Sequence, residues 1–273
     1  MGIRLRTSVT AALSPVKRDR LGAFTVLGSG GLFDRKEGTI SSVIELFGGS
    51  TVLVDCGRST FDKLQSLGPK KLDAIILTSS DEASIGSLAA CVRHLSKEAG
   101  HPVNIICMPH IGKNVDDYLV AANDISRDLF ALHLVDHGGA EFHFTPSIKY
   151  TFKRTGKVTS MFILEATTKD GVVFILHSGF IDRPVFDDLN ESADNVLVRM
   201  KRDPSAAIII HDASFYDGTG HCQFEKLSDW SETYRNFFLF GHSEEEGNNI
   251  VFSQRYMNSL STKKDNVFLL EKQ

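Results

Sequence analysis

The chain has no long hydrophobic run, one tryptophan, seven prolines and four cysteines in 273 residues. Its most apolar stretches, residues 72–78 and 206–211, fall far short of the roughly 20 residues that a membrane-spanning helix needs. No membrane role is expected. Cys56, Cys91, Cys107 and Cys222 show no C-x-x-C spacing, so nothing announces a redox pair or a zinc knuckle. Four scattered thiols in a chain this long read as small buried hydrophobes in a reducing compartment. A large net charge is lacking as well: the formal value is -4. Together with 42% hydrophobic residues, that excludes a disordered chain and a protein that binds nucleic acid through overall charge alone.

The first 20 residues differ from the rest. Arg4, Arg6, Lys17, Arg18 and Arg20 face only Asp19, among Ser, Thr and Ala. Two readings stay open: an organellar transit peptide, or an N-terminal strand and loop with a basic surface. No secretory signal is expected. The expectation is an intracellular protein, cytoplasmic or mitochondrial, with residues 1–22 as a basic segment and 23–273 as one domain.

Residues 23–27 form a short apolar run that stops at Gly28-Ser29-Gly30-Gly31, which predicts a strand and a tight turn. Residues 41–47, Gly48-Gly49 and residues 51–55 predict a hairpin. Apolar residues at 61, 64 and 67, and at 85, 88, 92 and 95, have helical spacing. Residues 73–78 and 103–108 are predicted strands, and 115–119 begins a helical stretch. The second half repeats the order. Strands are expected at 142–152, 160–167, 172–176, 206–210, 237–240 and 266–270, with helices at 195–200 and 223–236. Hairpin strands followed by alternating helix and strand, twice over, predict an α+β fold: a four-layer αββα sandwich of two sheets with helices outside both.

Five blocks carry a resemblance. They are Val26-Leu27-Gly28-Ser29-Gly30-Gly31, Leu53-Val54-Asp55-Cys56-Gly57, Leu72-Asp73-Ala74-Ile75-Ile76-Leu77-Thr78, Ile209-Ile210-His211-Asp212-Ala213-Ser214-Phe215 and Phe237-Phe238-Leu239-Phe240-Gly241-His242-Ser243. In this order they resemble the metallo-β-lactamase fold, in the branch of tRNase Z and the small cyclic-nucleotide phosphodiesterases. The resemblance implies a two-metal hydrolase site. Its principal loop is Thr-His-x-His-x-Asp-His-x-Gly, whose imidazoles and carboxylate bind zinc and whose metals activate a water.

This chain reads Thr78-Ser79-Ser80-Asp81-Glu82-Ala83-Ser84-Ile85-Gly86 there. The ligand positions fall on Ser79, Asp81, Ala83 and Ser84. An alanine has no donor atom, and neutral hydroxyls bind zinc poorly. The bridging carboxylate of the family's Ser-Gly-Asp falls at Ser178-Gly179-Phe180. The segment expected to hold the middle histidine carries Lys153, Arg154 and Lys157 instead, whose charge repels cations. Only His242 stands at the last ligand position. The resemblance therefore implies a degenerate member with no metal and no cofactor. Gly28-Ser29-Gly30-Gly31 also lacks the third glycine of a dinucleotide motif.

The expected function follows: a pseudo-hydrolase serving as a binding or structural subunit, either a homodimer or part of a larger complex. Its ligand is a protein, an RNA or a nucleotide. Ser79, Asp81, Lys153, Arg154, His177, Ser178, His211 and His242 are the candidate ligand-binding residues. Lys153, Arg154, Lys157 and Arg183, with Lys169, form a candidate basic rim for a phosphate-bearing ligand. No catalytic residue is expected. The alternative is a compact phosphodiesterase or nuclease with a metal-poor site built from His211, Asp212 and His242. Asp81 with Glu82 as an acid pair, and Cys107, His110, His221 and Cys222 as half a zinc site, are weaker candidates.

Overall fold

In the computed structural model, the described residues are 21–28, 39–46, 50–66, 71–136, 142–145, 148–157, 159–168, 171–185, 196–213, 221–227, 233, 236–240 and 267–269. They form two sheets. The first has six strands in the order β1 (Leu21–Gly28), β2 (Ser41–Leu46), β3 (Thr51–Val54), β4 (Ala74–Ile76), β5 (Val103–Cys107) and β6 (Phe130–Leu134). The second has seven: β7 (Phe142–Thr145), β8 (Ile148–Arg154), β9 (Ser160–Thr168), β10 (Gly171–His177), β11 (Ala207–Asp212), β12 (Asn236–Phe240) and β13 (Val267–Leu269). In each sheet the early strands pair antiparallel and the later ones parallel. The reason is connection length. Short connections join β2 to β3 and each of β7, β8 and β9 to the next, whereas parallel neighbours need a crossover.

The crossovers supply the helices: α1 (Thr60–Ser66), α2 (Glu82–Ile85), α3 (Leu88–Ala99), α4 (Pro109–Asp116) and α5 (Val196–Arg202). A π-helical segment, Asp117–Ala122, prolongs α4. On α3, Leu88, Cys91, Val92 and Leu95 recur at helical spacing and are buried against the first sheet.

The second sheet is apolar on both faces, as a covered sheet must be. Phe162, Leu164, Ala166, Val173, Ile175, Ile208 and Ile210 point to the core shared with the first sheet. Their neighbours Met161, Ile163, Phe174, Leu176, Ala207 and Ile209 point the other way, to Met200 of α5 and to Ile181 and Val185. The period of two along each strand produces this division.

The structure corrects several element boundaries. Residues 142–152 are two antiparallel strands rather than one, and Pro146, which has no N–H to donate, lies between them. The helix expected from residue 85 is two helices. Gly86 closes α2 and Ser87 opens α3. Of the helix expected over 223–236, the described residues show a 3-10 turn at Phe224–Leu227 and helical backbone at Thr233, and Asn236 already belongs to β12; residues 228–232 and 234–235 lie outside the described residues. Strand β6 has no counterpart among the expected elements. All four cysteines are free and buried, and burial pushes the Cys107 thiol up to about 12.

Candidate functional site

The ends of β3 and β4 carry the first half of the site. Asp55 follows β3 in the left-handed region, with φ 54°. Non-glycine residues seldom occupy that region. Its carboxylate is buried and accepts two bonds from Thr78: the backbone N–H to Oδ1 at 2.8 Å and the hydroxyl to Oδ2 at 2.7 Å. Burial outweighs these bonds and pushes the Asp55 carboxyl up to about 7.

After Thr78 the chain crosses toward the second sheet. The Ser160 amide donates to the Thr78 carbonyl at 2.7 Å, and Ser79 forms an isolated antiparallel bridge with Thr159. Ser79 is buried. Its hydroxyl donates to Asp81 Oδ2 at 3.1 Å and accepts the Asp81 N–H at 3.0 Å. Ala83 and Ser84 lie within α2 and are buried, while Glu82 faces outward and pairs with Arg58.

The ends of β10 and β11 supply the second half. They are adjacent because these strands run parallel, with His177 opposite Ile210. His177 is buried, stacked 5.4 Å from Phe162 at an interplanar angle of 7°. Its Nδ1 accepts the Gly179 N–H at 3.1 Å, so a neutral ring carries its proton on Nε2. His211 takes the opposite tautomer. Its Nδ1–H donates to the Asp212 carbonyl at 2.6 Å, and its Nε2 accepts the Val185 N–H at 2.9 Å. Burial, and then the neighbouring His211, lowers His177 to about 3. Burial lowers His211 to about 4, against the opposing pull of the Asp212 carbonyl. Both rings are therefore neutral at pH 7.

Ser178 donates its hydroxyl to the Gly179 carbonyl at 2.6 Å and accepts the Asp212 N–H at 2.9 Å. Its single proton is not offered to a histidine. Ser178, His211 and Asp212 thus form no nucleophile–base–acid relay of the kind used in acyl transfer. They hold the 178–185 segment instead. Asp212 Oδ2 accepts the Ile181 N–H at 3.1 Å, and both carboxylate oxygens lie 2.8 Å from His221 Nδ1. The Phe180 ring packs against His221, with centroids 5.9 Å apart.

His221 is therefore the partner of Asp212, a pairing that the sequence reading missed. The two stand nine positions apart, on different elements, with no periodic relation. A buried carboxylate beside a part-exposed imidazole fixes which ring nitrogen carries the proton. That is the arrangement of a histidine base held by a carboxylate.

Arg154 and Arg183 both bond to backbone carbonyls of the hairpin at residues 154–157. Arg154 donates from Nε to the Gly156 carbonyl at 2.8 Å and from Nη2 to the Lys157 carbonyl at 3.1 Å, clamping the β8–β9 hairpin. Arg183 pairs with Asp182 at 2.9 Å and donates to the Thr155 carbonyl at 3.5 Å, beside the same hairpin. Lys153 is half-buried on β8, and Lys157 is exposed. Lys169 and His242 lie outside the described residues. Strand β12 ends at Phe240, opposite Asp212 and two positions before His242.

The donor set does not fit a two-metal centre. At the described ligand positions stand the Ser79 hydroxyl engaged with Asp81, the Asp81 carboxylate itself, a methyl group, a second hydroxyl and a phenyl ring, while His242 lies outside the described residues. Among the described residues, no group of three or more His, Cys, Asp or Glu is gathered to hold an ion. A zinc site needs three protein ligands or more.

The arrangement of the backbone matches solved structures over most of its length. The metallo-β-lactamase fold protein YhfI from Bacillus subtilis superimposes with a TM-score of 0.65 at 16% identity, covering 91% of this chain and 95% of that one. The chain has the metallo-β-lactamase fold. The short form of human tRNase Z matches with a TM-score of 0.65 at 15% identity, over 91% of this chain and 96% of that one. Zinc-bound PqqB from Methylobacterium extorquens gives 0.61 at 12% identity, over 91% and 97%. No family model matches the sequence, and no curated protein matches it. The metallo-β-lactamase fold is thus carried here by a sequence only 12–16% identical to those of the solved structures named.

Proposed function

We propose that this protein is a metal-free metallo-β-lactamase-fold pseudo-hydrolase that acts as a binding or structural subunit, with a protein as its partner. The observation that carries this reading is the fate of the ligand positions. Ser79 is bridged to Thr159, Ala83 and Ser84 are packed inside α2, and Phe180 puts an aromatic ring where a bridging carboxylate would be needed. The use of Arg154 and Arg183 on the protein's own carbonyls and on Asp182 favours a protein partner over RNA or a nucleotide. Self-association, or membership of a larger complex, belongs to the same proposal. The test is metal analysis after incubation with zinc or manganese and desalting. The expected result is metal far below one ion per chain, and near-stoichiometric metal overturns the reading.

A second reading rests on one observation, the Asp212–His221 pair. In it the protein is a phosphodiesterase-type hydrolase whose base is His221, held by Asp212. Turnover of a cyclic nucleotide in the presence of chelator, lost in His221→Ala and retained in His211→Asn, would establish it. Loss in His242→Ala would add His242 to that site.

A further inference from the structure

Between residues 148 and 160 the chain carries Lys149, Lys153, Arg154 and Lys157 and no Asp or Glu, although its formal net charge is -4. Lys149 stands opposite Glu165 in the register of β8 and β9. The cations nearer the turn have no acid opposite them: Lys153 faces Met161, and Arg154 faces Ser160. A further cation comes from the segment after β10. Arg183 donates to the Thr155 carbonyl at 3.5 Å, and its side chain is 42% exposed. Two carboxylates approach. Asp182 is paired with Arg183 at 2.9 Å, and Asp81 is engaged at 3.1 Å by Ser79, which is bridged to Thr159. Lys153, Arg154, Lys157 and Arg183 against these two acids leave the hairpin positive.

The hairpin is fixed at several points. The Thr155 and Gly156 amides both donate to the Thr159 carbonyl at 3.2 Å, and His110 Nε2 of α4 lies 3.3 Å from the same oxygen. The Ser160 amide ties it to Thr78 of the first sheet at 2.7 Å. Arg154 is exposed, yet its Nε and Nη2 are anchored to the Gly156 and Lys157 carbonyls. A guanidinium has five N–H donors, so three remain for a ligand. A charge group already held in place loses little freedom when a ligand arrives. The planar guanidinium fork matches the two oxygens of a carboxylate.

We propose that the β8–β9 hairpin is the docking site for an acidic segment of the partner protein, rich in Asp or Glu. This rests on the reading of the chain as a binding subunit and names the chemistry of its partner. Complementary charge across an interface sets the partner and the rate of encounter. The cluster is compact, and part of its guanidinium capacity is spent on carbonyls, which suits a few carboxylates. A nucleic-acid strand is instead followed by a positive groove along its backbone. Here Asp81 and Asp182 interrupt any such groove.

The test is binding of a fluorescein-labelled hexaglutamate peptide to the full chain, read by anisotropy. Saturable binding is expected at about 0.05 M salt, weakening strongly by about 0.5 M as the charges are screened. The double variant Lys153→Glu/Lys157→Glu is expected to bind about tenfold more weakly. Lys97→Glu, on exposed α3 of the other sheet, is expected to bind as the wild type does. Absence of saturable binding, an equal loss in Lys97→Glu, or tighter binding of a labelled oligouridylate of the same length overturns the proposal. Amide shifts of the wild-type chain give a check that needs no variant to fold. Changes at residues 153–157 and Arg183 support the site, and changes confined to residues 1–20, the other basic stretch, overturn it. Metal analysis tests the metal-free reading separately, so failure of the peptide to bind leaves that reading standing.

Discussion

His221 Nδ1 lies 2.8 Å from both oxygens of the Asp212 carboxylate, with the Asp212 side chain fully buried and the His221 side chain 23% exposed. The pair joins the end of β11 to a segment nine residues further on. Together with the Ile181 amide it secures the loop that carries Phe180. If His221 is removed, the carboxylate stays buried with one fewer donor.

His221→Ala is therefore expected to destabilise the protein by about 2–3 kcal/mol, because a buried carboxylate loses its principal partner. A double-mutant cycle with Asp212→Asn, read by urea unfolding, is expected to show strong coupling between the two. Additive effects would mean that the contact contributes nothing of its own.

Acid sensitivity follows from His177 and His211. Each is neutral when folded down to about 3 and 4, and each binds a proton near 6.5 when unfolded. The unfolded chain holds more protons in that window, so stability falls as pH falls through it. Asp55 opposes this, since the folded state holds its proton up to about 7. Two histidines against one carboxyl leave a net of about one proton. Between pH 6.5 and pH 4, unfolding free energy is expected to drop by about 1.4 kcal/mol per unit. His177→Gln is expected to flatten that slope, as measured by urea midpoints across the window.

Gly179 has φ 61°, and a Cβ placed there would stand 2.3 Å from the Ser160 carbonyl oxygen. Both the backbone conformation and the space require glycine. Gly179→Ala is expected to cost about 3 kcal/mol or more in thermal or chemical unfolding, since backbone atoms rather than a pliable side chain stand in the way. Gly100, also left-handed at φ 69° but with open space around it, is expected to tolerate alanine with a smaller loss.

Tyr150 is fully buried on β8, and its hydroxyl has no hydrogen-bond partner among the described residues. Tyr150→Phe removes an unsatisfied polar atom and keeps the ring. Stability is expected to stay level or to rise by about 1 kcal/mol. A loss of similar size would show that the hydroxyl is satisfied in solution.

Strand periodicity, turn residues and helical spacing made the two-sheet architecture legible, because these are local properties that each segment carries with it. Phe162, Leu164 and Ala166 alternate with Met161 and Ile163 whatever lies around them. The alternation of Phe130, Leu132 and Leu134 with Ala131 and His133, ahead of Gly138-Gly139, was a signal of β6 that went unread. At the site, the chain order of residues showed which ligand positions had lost their donors, since identity alone decides that. Identity could not show what the remaining polar groups do. Arg154 looked like a cleft cation and closes a hairpin. His211 looked like a base and spends both nitrogens on backbone groups. His221 looked like part of half a zinc site and meets Asp212. Composition and order along the chain determine which atoms can donate, accept or ionise. Only packing decides which of them meet and how far burial shifts their charge, because distance and desolvation are properties of the folded whole.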